Sequence, residues 1–508
     1  MDSNRIGMAS AEPPDQAGQE APVPVSAPIP PPASNRAESS TSTHRPTVEL
    51  KADEASQATK MAHNGVPSSP ASASSPGSKP MKLKHISNEF WSPQMKPLRK
   101  VVFKILGLST TLIILVMWAC LPFYWGSMWK ANRYTNKLTV RVINYDEGAI
   151  GSFISSALLN QTNLGYFYTS PSEFPTNQDV ANNIVEEGAW GAVVIQQAAT
   201  SNLLAARQIG NSSYNGTSAV NVYYVQARNE AAVNGYLVPY IQQELGAIAA
   251  KASAASVAQY LASVAGNTTA INLLAQAPTT ISNSVWYTLV NLRPDTQPVA
   301  GAILLVGLIY LLIFSFVITL NNSACRDLIG PYLTTRSYLI YRLVVPFSLY
   351  LPVSFLYAMV SLPFDVHFGA HYTYAGGFFL WAFTCFLGMA ALGLSVEFAI
   401  TILGPKFIGF FLIPLIIANV SVASLPHELQ PWIYRYGVAM PFYNIGQIVR
   451  TIIFNTKNEV AMNLGILLAW TVVSMITITI ATWLFRRYAV HKTCKEMGEN
   501  RMVEDGPA

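Results

Sequence analysis

Residues 105–159 read ILGLSTTLIILVMWACLPFYWGSMWKANRYTNKLTVRVINYDEGAIGSFISSALL, and the change of character inside this stretch decides the fold. Ile105 to Met128 carries no charge and exceeds the ~20 apolar residues that a membrane-spanning helix needs. Trp118, Trp125 and Trp129 gather towards its far end, where aromatic side chains sit at a headgroup interface. A different pattern follows. Val140, Val142 and Ile143 with polar neighbours predict a short strand, Asp146, Glu147 and Gly148 a turn, and Ile150 to Leu159 a helix. One membrane run is thus followed at once by a chain that folds in water.

That water-folding segment spans residues 130–298. NQDVANNIVEEGAWGAVVIQ predicts a polar helix, a glycine turn and a strand from Ala192 to Gln196, and Ala219 to Gln226 predicts a third strand. Alternating helices and strands argue for a small α/β layer. Between Asn229 and Ala265, Val233, Leu237, Tyr240, Glu244 and Ile248 recur near helical spacing, which predicts a long helix or helical hairpin bent near Pro239. The segment carries four N-x-[ST] triplets, at Asn160, Asn211, Asn215 and Asn267. Such triplets accept glycans only in the secretory lumen, so their clustering points to an extracytoplasmic domain. Asp146 and Glu147 are adjacent in a turn and read as structure rather than as a catalytic pair.

Five further charge-poor runs follow, at 299–325, 339–364, 372–402, 407–426 and 460–485. Alternation places both termini in the cytosol. Lys96, Arg99, Lys100 and Lys104 flank the first run. Arg326, Arg336, Arg342, Lys406, Arg486 and Arg487 fall in the remaining cytosolic positions, as the positive-inside rule requires. Asn321 and Asn419 also begin triplets, but on this topology they stay unmodified. In the outer segment 427–459, Phe442, Ile445, Val449, Ile452 and Ile453 repeat at helical spacing with Asn444, Gln447, Arg450 and Thr451 opposite. This predicts an amphipathic helix lying on or dipping into the outer leaflet, or else a loop helix packed on the extracytoplasmic domain.

Composition agrees. The chain has 508 residues, of which 51% are hydrophobic and 12% charged, half the charge of a soluble domain. The net charge of +5 follows from the inner loops and calls for no nucleic acid. Residues 1–80 hold 13 prolines and no Phe, Tyr or Trp, which predicts a disordered cytosolic tail; Pro22 to Pro32 could form polyproline II. Residues 81–104 form a basic juxtamembrane segment, and 486–508 a cytosolic tail. Cys120, Cys325, Cys385 and Cys494 all lie outside 130–298, so that domain folds without disulfides. No P-loop, zincin, nucleophile-elbow or dinucleotide motif is present, and His367 and His371 have no further ligand candidate. No catalytic, cofactor or metal residues are expected, and no enzyme. Glu397 is the acid nearest to membrane depth. It is either a coupling residue or a carboxylate paired with a neighbouring helix.

The expected fold class is therefore an α-helical multipass membrane protein of six transmembrane helices, with a large α/β domain between the first and second. Three segments carry a family resemblance: VRVINYDEGAIG at 140–151, EEGAWGAVVIQ at 186–196 and MPFYNIGQIVRTIIFNTKNEVAMNLGILLAW at 440–470. With the helix plan, they make residues 100–490 similar to the fungal nitrosoguanidine-resistance membrane-protein family, itself related to ABC-2-type membrane subunits and the bacterial phage-infection-protein group. The resemblance implies a fungal membrane protein of the plasma membrane or an internal membrane, linked to drug resistance. Export or translocation of amphipathic compounds or lipids is one implied function. A non-transporting regulator or scaffold, acting on lipid composition or on partner transporters, is the other. Beyond the bilayer, the partner implied is a separate ATPase chain, or a second copy in a homo-oligomer.

Overall fold

A computed structural model of the protein describes residues 88–504, with side chains as far as Tyr488. The predicted tail 1–80, its polyproline stretch, and Lys82 and Lys84 of the basic segment lie outside the described residues.

Helix α1 (Lys96–Met128) leads straight into the sheet domain. The elements follow as β1 (Thr139–Asn144), α2 (Ala149–Leu159), β2 (Gly165–Tyr168), α3 (Asn177–Val185), β3 (Gly191–Ile195), α4 (Ala199–Ile209), β4 (Val220–Tyr224), α5 (Val238–Ser263), α6 (Thr268–Gln276) and β5 (Tyr287–Asn291). The five strands form one mixed sheet in the order β2-β1-β3-β4-β5, with only the β3–β4 pairing antiparallel. Alternation along the strands builds two cores. Val140, Val142, Val193 and Ile195 pack against α2 and α5 on one face, while Ile143, Ala192 and Val194 meet Val180 and Ile184 of α3 on the other. All five residues of the central strand β3 are buried, as covering both faces demands. The expected bend at Pro239 is a π turn, Val233–Leu237, immediately before α5; proline has no N–H to give to the ladder.

The helical body contains α7 (Leu308–Ile329), α8 (Thr335–Met359), α9 (Tyr374–Leu403), α10 (Gly409–Ala423), α11 (Pro441–Phe454) and α12 (Val460–Glu504). Among the described residues, five helices are long and apolar enough to cross a membrane: Pro93–Met128, Pro298–Tyr332, Thr335–Phe364, Tyr374–Leu403 and Val460–Tyr488. The run predicted as a span at 407–426 forms the 15-residue α10, too short to count among these five. It nevertheless carries the chain from the Glu397 end of the bundle back to Leu425 and Leu429 in the sheet-domain core. Helix α12 continues past the predicted end at Phe485, because Arg486 and Arg487 end the apolar run without breaking a helix.

Helix α9 is the central pillar. Gly388 and Gly393 let its neighbours approach. A Cβ at Gly388 would lie 2.8 Å from Ile445 Cδ1 and 2.9 Å from Leu311 Cδ2, and one at Gly393 would collide with the Tyr350 hydroxyl. Tyr350 in turn meets Thr319 Oγ1 at 2.9 Å. The outward rows stay apolar and exposed, as in Ile105, Leu106, Leu108 and Leu115 of α1 and Val472, Val473, Ile476 and Ile480 of α12. Exposed apolar rows of this length match the hydrocarbon interior of a bilayer.

Helix α11 does not lie on a surface. Eleven of its residues are buried, including the apolar face and, from the polar one, Asn444 and Thr451, with Gln447 and Arg450 half-buried. Ile445 reaches Gly388, about 21 Å along α9 from Tyr374 at 1.5 Å per residue. Trp470 Nε1 donates to Ala439 O at 2.6 Å, roughly 15 Å along α12 by the same rise. The chain therefore descends along the outside of the bundle through the 3₁₀ segment Trp432–Ala439, in which only Tyr434 and Gly437 are buried, and climbs back through the interior as α11. Some polar atoms of α11 find partners inside the protein, while Asn444 Oδ1 and Arg450 Nε are buried with no hydrogen-bond partner among the described residues. Asn444 Nδ2 donates to Val438 O at 3.0 Å and Met440 O at 2.8 Å, and Thr451 Oγ1 to Lys457 O at 2.8 Å.

Candidate functional site: a buried arginine–glutamate tie and a joint to the sheet domain

Glu397 is fully buried on α9, near the end of the bundle farther from the sheet domain. Its Oε1 accepts from Arg342 Nε at 2.9 Å and Arg342 Nη2 at 2.5 Å, and lies 2.7 Å from Arg326 Nη1. Arg342 also reaches Thr482 Oγ1 of α12 at 2.7 Å and Thr401 Oγ1 at 2.5 Å. One carboxylate thus ties α7, α8, α9 and α12. Arg326 and Arg342, expected among the inner-loop charges, instead turn into the protein with side-chain exposures of 4% and 3%. The positive-inside pattern could not distinguish an arginine in water from one turned back onto a carboxylate. Two guanidiniums share one oxygen of this buried carboxylate, and its Oε2 has no hydrogen-bond partner among the described residues. The arrangement is an electrostatic crosslink between helices, the paired carboxylate that is one of the two expectations for Glu397. One carboxylate against two guanidiniums leaves the cluster with one net positive charge. Asn322, one helical turn before Arg326, has no protein partner for its amide.

A second polar cluster joins the sheet domain to the helical body. The Arg228 guanidinium lies 3.7 Å over the Trp190 ring, and its Nη2 stands 3.4 Å from Glu187 and 3.8 Å from Glu428. Trp190 Nε1 donates to Glu428 Oε1 at 3.3 Å. Leu425 and Leu429, from the segment after α10, complete the sheet-domain core. A water-scale cavity of about 50 Å³ lies here, with Tyr443, Gln447 and Arg450 of α11 on its wall. Burial pulls the Arg450 guanidinium below its ordinary value, with Glu230 opposing. Burial pushes the Glu230 carboxyl up; Arg450 opposes this, and the adjoining Asp295 reinforces it. Glu187 and Trp190 come from one segment that carries the resemblance, and Tyr443, Gln447 and Arg450 from another; the joint is where the two meet.

The remaining predicted residues sit as follows. Asn160, Asn211, Asn215 and Asn267 are all exposed on the sheet domain. Asn419 is buried, bonded to Leu415 O and Phe442 N, and Asn321 lies on α7. Asp146 is a structural cap: its carboxylate accepts from Gly151 N at 3.0 Å, Thr200 N at 3.1 Å and Thr200 Oγ1 at 2.5 Å, holding the starts of α2 and α4 together. His371 bonds Asn455 at 2.5 Å and Asn458 at 3.1 Å. Among the described residues, no group of three metal-ligating side chains occurs.

The chain is 24% identical over 428 residues to an uncharacterized endoplasmic reticulum membrane protein of Saccharomyces cerevisiae, covering 75% of this chain and 80% of that protein. No solved structure matches. Together with the apolar helices, this relative makes the chain a membrane protein. A family model extends over residues 109–476, from α1 through the sheet domain and α11 into α12, and the chain belongs to that family, described as protein of unknown function, DUF3533.

Proposed function

We propose that this protein translocates amphipathic compounds or lipids across an internal membrane, with the sheet domain on the lumenal side and both termini cytosolic. The observation that carries the reading is the descent of residues 432–439 along the bundle and the return of α11 through its interior beneath the sheet domain, to which this segment is joined through Trp190, Arg228 and Glu428. Irregular backbone at bilayer depth is costly unless protein encloses it, and transporters place such interrupted helices where polar groups must pass. The resemblance to ABC-2-type subunits supports the same plan. The exposed positions of the four lumenal-type triplets support the orientation. The relative's place in the endoplasmic reticulum supports the compartment.

The tie at Glu397 argues against driving this transport by protonation of that residue. The chain has no P-loop, so energy comes from a separate ATPase chain. The non-transporting regulator is favoured by one observation, the locking of four helices by that tie, which suits a rigid scaffold. Retention of a fluorescent amphipathic compound in cells with and without the chain separates the two. Faster loss that disappears on ATP depletion supports translocation. Equal retention with a persisting difference in drug resistance supports the regulator.

A further inference from the structure

A cavity of about 380 Å³ opens between α2, α4 and the second half of α5, on the sheet domain and away from both clusters described above. Its volume lies in the range of ligand pockets. Its walls are mainly carbon: Ile150 and Ala252 form buried parts, while Phe153 and Leu204 stand at the rim, each 40% exposed. Thr200, Ser256, Gln259, Tyr260 and Ser263 are the polar residues on its wall; the Thr200 hydroxyl is taken up by the Asp146 carboxylate.

Directly behind Ser256 and Tyr260 lies Arg207, only 1% exposed. Its guanidinium donates to Ser256 O and Ser256 Oγ, each at 3.0 Å, to Thr280 O at 2.9 Å and to Ser284 Oγ at 3.1 Å. Its Cζ lies 5.2 Å from the Tyr260 ring centroid. Every acceptor is neutral, and among the described residues no carboxylate forms an ion pair with it. A buried cation without a counter-ion is unfavourable. Ser256 and Tyr260, which touch Arg207, also line the cavity, so an anion bound there sits across these two residues from the guanidinium.

We infer that this cavity binds a single-chain amphiphile with an anionic head, the chain lying against Ile150, Phe153, Leu204 and Ala252 and the head at Ser256 and Tyr260 in front of Arg207. The volume holds on the order of a dozen methylene groups, taking each at about the ~30 Å³ share of a liquid water. A carboxylate or a phosphate head would serve equally, so a fatty acid and a lysophosphatidate share the required chemistry. The inference extends the amphiphile reading above, but stands whether or not the chain transports.

The test uses the full chain in lipid nanodiscs, photolabelled with a diazirine analogue of palmitate and mapped by peptide mass spectrometry. The label is expected to concentrate in the peptides that hold Phe153, Leu204 and residues 252–260, and to fall about tenfold in Leu204→Trp and in Ala255→Trp, which fill the cavity from different helices. Palmitate or lysophosphatidate should compete about tenfold better than uncharged palmityl alcohol, and their order identifies the head group. Label spread along the membrane helices without enrichment, or undiminished in both tryptophan variants, overturns the site. Equal competition by the alcohol and the acids overturns the anionic head. A failure of the retention experiment with this labelling intact removes translocation and leaves the binding site standing.

Discussion

Arg342 and Glu397, 55 residues apart in the chain, meet through nitrogen–oxygen contacts of 2.9 and 2.5 Å in a fully buried part of the bundle, with Arg326 completing the group. Removing the carboxylate leaves two buried guanidiniums without their counter-ion. Glu397→Gln should therefore destabilise the folded protein by roughly 3–5 kcal/mol, the usual cost of breaking a buried pair. Thermal unfolding in detergent measures it. An unchanged midpoint would contradict the crosslink. Loss of function in this variant thus reports folding first, and reads as loss of coupling only at normal protein level.

Arg228 and Glu428 couple the sheet domain to the segment before α11. A double-mutant cycle on Arg228→Gln and Glu428→Gln should give a coupling energy of about 0.5–1 kcal/mol, modest because both side chains keep some access to water. Hydrogen exchange in residues 424–440 should rise in each single variant. Strict additivity, with unchanged exchange, would show that the joint carries no energy.

Glu230 makes the joint sensitive to pH. Its carboxyl is raised above the ordinary value of 4.5, chiefly by burial. A carboxyl raised in the folded state binds its proton more tightly there than in the unfolded chain. Its stabilising contribution is complete below the ordinary value and is lost as pH rises through the raised one. Unfolding midpoints followed upward from pH 4 should fall over that window, and Glu230→Gln should flatten the fall. A midpoint rising over the same window in the parent, unaltered by Glu230→Gln, would contradict the assignment.

The exposed triplets give a test of sidedness. If the sheet domain is lumenal, the protein made in cells should lose mass on endoglycosidase treatment, in as many as four steps, one for each of Asn160, Asn211, Asn215 and Asn267. Asn→Gln at each should remove one step. Asn419, enclosed between α10 and α11, should add none. A mobility that never shifts would place the domain in the cytosol.

The parts of the fold legible in the sequence are those with local periodicity. β1 and β4 announce themselves by alternation, β3 by a short continuous apolar run after a glycine, and α11 by its repeat from Phe442 to Ile453. β2 and β5 escaped because they are the sheet edges: GYFY and YTLVN are only partly covered, so burial imposes little alternation on them. The surroundings of α11 were illegible for another reason. An amphipathic repeat shows that a face is buried, not what buries it, and Asn444 and Thr451 read as a wet face although both are buried and donate to carbonyls of the protein itself. Glu397 stood out as an acid among apolar residues. Its partners did not, since nothing local marks Arg326 or Arg342 as inward-turning.

The most direct test of translocation uses sealed vesicles from the endoplasmic reticulum, with and without this chain, and a single-chain lipid bearing a fluorophore quenchable from outside. The account predicts that ATP increases the quencher-protected fraction only in vesicles that contain the chain, and that Arg228→Gln reduces the increase. Identical protected fractions in both vesicle populations, with the protein present and folded, would contradict it.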